Sequence, residues 1–220
     1  PKPQTIHDFG GFPPELYEVQ YPAPGSPELA QAAKESVRLT EVGLDHKWGL
    51  DHGAWSVIKH LYPEADVPVV QMSLDYTKAP EYHYSLAKEL RKLRREGVLV
   101  IGSGNMVHNL RLIDWRRLSD EHAFDWAAEA GEKIKSLIID GNHEQLIRIR
   151  NSGRPYELAI PTPEHYLPLL YALALQDKDD KVSFFNDKPV VHDLHVKWRP
   201  DGGALHENAV FNHRDCVGSN

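Results

Sequence analysis

Two short apolar runs constrain this chain more than any other feature. "VPVVQMSLD" (67–75) concentrates Val67, Val69, Val70, Met72 and Leu74, and "GVLVIG" (97–102) is as apolar and as β-branched. Runs of this length, bounded by turn residues, read as buried strands. Between them, "APEYHYSLAKELRKLRREG" (79–97) reads as a helix closed by Gly97, with basic residues at the negative end of its dipole. Strand, helix, strand with a crossover of this length is a right-handed βαβ unit of a parallel sheet. The expected fold class is therefore α/β, a single domain with a largely parallel central sheet flanked by helices. A length of 220 residues suits one such core, with appendages.

The other segments fit that frame. Residues 5–30 are rich in Pro, Gly and aromatics and read as a long loop with a short helical turn near Pro14 to Tyr17. Ser26 followed by Pro27 is a helix start, with the serine as N-cap. Further helices are expected from Ala54 to Leu61, from Ala123 to Ile139, over "NHEQLIRIRN" (142–151), and over "PTPEHYLPLLYALALQD" (161–177), with His165 in the opening turn of the last. The net charge of −7 excludes the usual basic footprint of a nucleic-acid binder. No apolar run is long enough to span a bilayer, so no membrane partner is expected. The single cysteine, Cys216, cannot form an internal disulfide, which points to a reducing cytoplasm.

Histidine is the usual metal ligand and the usual proton shuttle near neutral pH, and the chain has 13 of them. His108 sits where a buried strand ends, in "SGNMVHNL" (103–110), and open α/β sheets bind ligands at such ends. The alternative for His108 is a ring that merely bonds a nearby carbonyl to hold the turn. His165 lies near the positive end of a helix dipole, which favours the neutral, metal-binding imidazole. Its alternative is a solvent-facing residue at a helix start, and Glu164 beside it is either a second ligand or a carboxylate suited to the first turn. His52 adjoins Asp51, but neighbours in sequence do not easily bond each other's rings, so no triad follows. His7, beside Asp8 and two glycines, reads as a pocket rim. His46, His60, His83, His122 and His143 are expected on solvated faces or loops. No HExxH, CxxC or Walker motif is present, and "GSGN" does not continue as a dinucleotide fingerprint. Any metal site must be assembled from distant segments.

Four phrases in order, "TIHDFGGFPPELYEVQYPAPGSPELA", "WGLDHGAWSVIKHLYPEADVPVVQMSLD", "SGNMVHNLR" and "PTPEHYLPLLYALA", resemble the DODA-type (4,5-DOPA) extradiol ring-opening dioxygenases of the class III extradiol family. The resemblance runs from Pro3 to about Pro189. It implies an α/β domain that opens the ring of a DOPA-like catechol with O2, using non-haem iron(II), with zinc able to occupy the same site. It makes His165 a metal ligand and His108 the catalytic acid/base. It makes His52 a second catalytic histidine, and it places His7 and Asn109 on the substrate side. A catechol hydroxyl must lose a proton as the ring is attacked, and a histidine tuned near neutral pH can take that proton and return it.

The same resemblance implies two further ligands, in an "HGSP"-like turn and an "SAHW"-like strand end, and neither phrase is present. The chain is thus expected to be N-terminally incomplete, with the first strands of its sheet missing. The catalytic domain is expected over 1–190. The remaining 191–220, polar and without sustained periodicity, are expected to be an atypical, disordered or frame-shifted tail, so the histidines there and Cys216 receive no role. A zinc site from His192, His195, His206 and Cys216 is the alternative for that tail. Two rival functions remain at this point, a non-enzymatic binding protein on the same fold and a zinc-dependent hydrolase.

Overall fold

The computed structural model describes residues 2–113, 123–185 and 195–199. The described residues divide into two compact units, one up to Ser73 and one from Leu74 onward.

In the first unit, extended segments meet through single parallel bridges rather than ladders. Thr5 pairs with Leu50 and Gly25 with Val69. Their backbone bonds run from Ile6 N–H to the Leu50 carbonyl, Leu50 N–H to Gln4, and Val69 N–H to Pro24, each at 2.8 Å. Helix α1 (Pro14–Tyr17) is a single turn entered at a proline. Helix α2 (Pro27–Ser36) begins as the sequence predicts, the Ser26 hydroxyl accepting Leu29 N–H at 3.1 Å. Helix α3 (His52–Leu61) starts earlier than expected because Asp51 caps it, taking Ala54 N–H at 2.9 Å. The Asp51 carboxylate also accepts from the Gln71 amide. The core of this unit is built from Tyr21, Ala23, Val37, Leu50, Trp55, Val57 and Ile58. Two polar tips inside it are satisfied, the Tyr21 hydroxyl by the Tyr62 carbonyl and the Trp55 indole N–H by the Ile6 carbonyl, both at 2.8 Å.

The second unit is organised around one apolar helix. Every residue of α9 (Leu167–Ala174) is buried, and a helix apolar on all sides belongs in the middle of a core. Helix α4 (Pro80–Glu89) packs along it, and α6 (Asp125–Ile139) packs against α8 (Arg154–Ala159). Helix α6 contributes Ala130, Ile134, Leu137 and Ile138, a stripe at helical spacing. The helix predicted over 79–97 is two, because the chain tightens at Leu90 before α5 (Arg91–Arg95), and it ends near Gly97 with φ +88°. The basic last turn does more than match its own dipole. Arg91 donates to the Ala174 and Gln176 carbonyls and Arg94 to Leu175, closing the end of α9. Arg94 also pairs with Asp180 at 2.5 Å. Helix α7 (His143–Arg148) is capped by Asn142 and runs on as a 3₁₀ turn.

The expected parallel sheet is absent among the described residues. Residues 67–75 make the one bridge at Val69, and 97–102 make none; Val67, Val70 and Met72 are exposed. β-branched side chains favour an extended backbone, but a strand exists only where neighbours take its N–H and C=O groups. The sheet that does form is antiparallel, β1 (Lys181–Phe185) against β2 (His195–Arg199), with Ser183 opposite Lys197. Strand β2 falls within the expected irregular tail; the other tail positions named above, His192, His206 and Cys216, lie outside the described residues, as does His122.

Candidate functional site

The second unit brings His108 and His165 together. Their rings stack with centroids 3.6 Å apart and planes 20° from parallel. The main chain fixes this contact. Asn105 N–H donates to the His165 carbonyl, and His108 N–H donates to the Ala159 carbonyl, both at 2.7 Å. Glycine is required at position 104, since a Cβ there would lie 2.2 Å from the His165 carbonyl oxygen. The turn after the apolar run 97–102 is thus shaped to press its backbone against the turn that carries His165. His165 sits in that turn just before α9 and not in the helix, as the sequence suggested. Glu164 is exposed and accepts the Thr162 hydroxyl at 2.6 Å, which favours its role as a turn carboxylate. Asn109 uses its amide to hold the loop: Nδ2 donates to the Leu158 carbonyl at 2.7 Å and Oδ1 accepts Arg111 N–H at 3.2 Å.

His7 and His52 belong to the first unit, where both rings pack on Phe9, at 5.8 and 5.7 Å between centroids. Trp55 and Tyr17 complete an aromatic cluster around His7. His7 donates from Nε2 to the Val19 carbonyl at 2.9 Å. The carboxylate that serves His52 is Asp8, not the adjacent Asp51: Nδ1 donates to Asp8 Oδ1 at 2.8 Å, and the His52 backbone N–H donates to the same oxygen at 2.9 Å. This donation places the ring's lone pair on Nε2, the arrangement a carboxylate imposes on a catalytic imidazole. Partial burial acts to raise the Asp8 carboxyl. The two bonds from His52 and the attraction of its ring outweigh burial and hold the carboxyl below its ordinary value.

Two histidines expected on polar surfaces are structural instead. His83 is fully buried, its Nε2 donating to the Asp75 carbonyl at 3.0 Å and its Nδ1 accepting from the Tyr171 hydroxyl at 3.1 Å. Burial lowers its pKa, against the opposing pull of Asp75, and pushes the Tyr171 hydroxyl up to about 12. His143 accepts from Tyr84 at 2.7 Å and donates to Gln176 at 2.8 Å, and burial lowers its pKa too. His83 shares a helical face with Leu86, Ala87 and Leu90, all buried, and that spacing was the available signal. His46 and His60 are exposed, as expected.

A divalent metal needs several His, Cys, Asp or Glu donors around one point. No three such residues come together among the described residues. His165 therefore offers one imidazole and no cage, and the described donor set does not fit a catalytic metal.

The family model for the catalytic LigB subunit of aromatic ring-opening dioxygenase matches residues 2–197. The chain is 45% identical over 186 residues to the 4,5-DOPA dioxygenase extradiol of Escherichia coli K12, covering 82% of this chain and 67% of that protein. It is 36% identical to the 4,5-DOPA dioxygenase extradiol of Beta vulgaris, covering 91% of this chain and 71% of that one. A crystal structure of an uncharacterized protein from E. coli K12 matches with a TM-score of 0.67 at 35% identity, covering 83% of this chain and 74% of the other. With the family matched over nearly the whole chain, this protein belongs to the LigB family of aromatic ring-opening dioxygenases, among its DODA-type extradiol members.

Proposed function

We propose that this chain acts in the cytoplasm on a catechol-type, DOPA-like aromatic, opening its ring with O2 in the extradiol manner, with His108 as the acid/base. The observation that carries this reading is the stack of His108 on His165, set by backbone bonds from two separate segments. A group held by main-chain bonds keeps its position as a proton arrives and leaves, which is what general acid/base catalysis requires. His108 takes the proton of a catechol hydroxyl, so that the ring becomes electron-rich enough to react with O2. It returns a proton as the ring carbon–carbon bond breaks, and both oxygen atoms end in a ring-opened semialdehyde.

His52, oriented by Asp8, is the second catalytic histidine of this reading, and His7 with its aromatic neighbours is a surface suited to a planar ring. Asn109 acts on the substrate side mainly by fixing the loop that carries His108. The family reading implies iron(II), with zinc as the other occupant, and gives His165 as this chain's ligand. The role given to His108 is supported by the stack and by the backbone bonds that set it.

The test is oxygen uptake and formation of a yellow ring-opened product on adding catechols to protein incubated with iron(II). One O2 consumed per ring opened is expected. In a protein that also supplies the two further ligands the family implies, His165→Ala is expected to lose metal and turnover together. Ester turnover with tightly held zinc would replace the reading with a hydrolase, and the absence of both activities would leave a binding protein.

A further inference from the structure

The phrase "SGNMVHNLR" ends on an arginine that acid/base chemistry does not use. In the second unit an open basin of about 590 Å³ begins at Asn109, the residue after His108, and it is lined by the exposed Arg111, Arg150 and Arg154 with Glu157 and Leu158. That volume is in the range of small-molecule pockets. Three guanidinium groups face one carboxylate there, in a chain whose net charge is −7. Little of their hydrogen-bonding capacity is spent. Arg150 gives one bond to the Pro161 carbonyl at 3.1 Å, and Arg154 meets Glu157 through one contact at 3.3 Å. The Arg111 side chain makes no hydrogen bond or ion pair among the described residues. Each guanidinium carries five donors in a planar fork that matches a carboxylate.

The cavity and the candidate acid/base share a support. Leu158, in the cavity wall, accepts the Asn109 amide, and the next carbonyl, Ala159, accepts His108 N–H. An anion in the basin is therefore held against the same stretch of backbone that sets His108.

We infer that Arg111, Arg150 and Arg154 form a carboxylate subsite, which selects aromatic substrates bearing an anionic side chain and holds that side chain beside His108. This inference rests on the dioxygenase reading for its substrate, and on the cavity alone for its anion.

The experiment uses the full chain, incubated with iron(II), and two readouts. In the first, kcat and KM are compared for 3,4-dihydroxyphenylacetate and for its neutral amide. Arg150→Gln combined with Arg154→Gln is expected to raise KM for the acid about tenfold, the scale of charge-assisted hydrogen bonds at a partly exposed site, with kcat kept. The amide should be handled alike by both proteins. In the second, binding of radiolabelled phenylacetate, which has no ring hydroxyls to react, is followed by equilibrium dialysis with and without inorganic phosphate.

Arginine-dependent phenylacetate binding in a protein that opens no ring would keep the subsite and sink the dioxygenase reading. Ring opening with acid and amide treated alike by the wild type would sink the subsite and keep the enzyme. Equal losses for acid and amide in the variant would reduce the arginines to a structural role and overturn the inference. Phosphate bound in place of phenylacetate would overturn it as well.

Discussion

The two units hold their histidines by different means. In the second, His108 and His165 are located by their own main chain, through bonds to Ala159 and from Asn105 and through the bare backbone of Gly104. In the first, His7 and His52 are located by side-chain contacts, a ring bond to Val19, a carboxylate from Asp8, and aromatic edges around Phe9. Backbone anchoring fixes a ring against loss of any one side chain. Side-chain anchoring can be undone residue by residue.

The largest test of this contrast is His108→Ala. Turnover should fall about 10²–10⁴-fold while the backbone contact is kept. Loss of metal in this variant would make His108 a ligand, and unchanged turnover would return it to the role of holding a turn.

Gly104→Ala should come next, through the main chain alone. The new Cβ must displace the His165 carbonyl, at a cost of about 2–3 kcal/mol in urea unfolding. Gly97→Ala sets the reference. Its Cβ would meet open space, so only the positive φ is strained, at about 1 kcal/mol. Equal costs for the two glycines would mean that the backbone contact at Gly104 is not what holds the pair.

A smaller effect separates the units by pH. Burial lowers His83 and His143 below the ordinary histidine value, so the folded second unit binds fewer protons than the unfolded chain. Its stability should therefore fall as pH drops below about 6.5, and level off once the lowered folded values are passed. His83→Gln should flatten part of that slope in urea midpoints taken from pH 5 to 8. A slope that the substitution leaves intact would point away from His83.

The smallest effect belongs to Asp8. Its lowered carboxyl contributes stability that is complete above the ordinary value near pH 4 and disappears as pH falls through the lower folded value. Asp8 and His52 are partly exposed, so Asp8→Asn should cost no more than about 1 kcal/mol at neutral pH. In the dioxygenase reading it should slow turnover more than it unfolds the protein. No change in turnover would remove His52 from the catalytic set.

Local signals were the legible ones. The Ser26 cap with Pro27, the single turn of α1 and the helix expected over 123–139 are written in local residues, and the structure has them, the last from Asp125. The strands were less legible because a strand is decided by its neighbours, and among the described residues Val67, Val70 and Met72 have the residue types without the ladder. His83 and His143 were misplaced for the same reason, their partners Tyr171 and Gln176 lying on or just past a distant helix. Of the site, the sequence named His108 and His165 as candidates, but not the fit of Gly104 against His165, nor Asp8 as the partner of His52. Each is a contact between segments far apart in the chain, and periodicity carries no information about it.

The junction of the His165 turn with α9 sets the timescale on which the pair can come apart. Segments open locally with a free energy that reflects how much buried surface they must expose, and helix α9 has none of its residues outside the core. The Asn105 amide is bonded to the carbonyl of the residue just ahead of that helix. Hydrogen exchange at Asn105 is therefore expected to be slow, as it is for amides whose partners are fixed to the core. The His108–His165 pair is expected to open with that helix and not ahead of it.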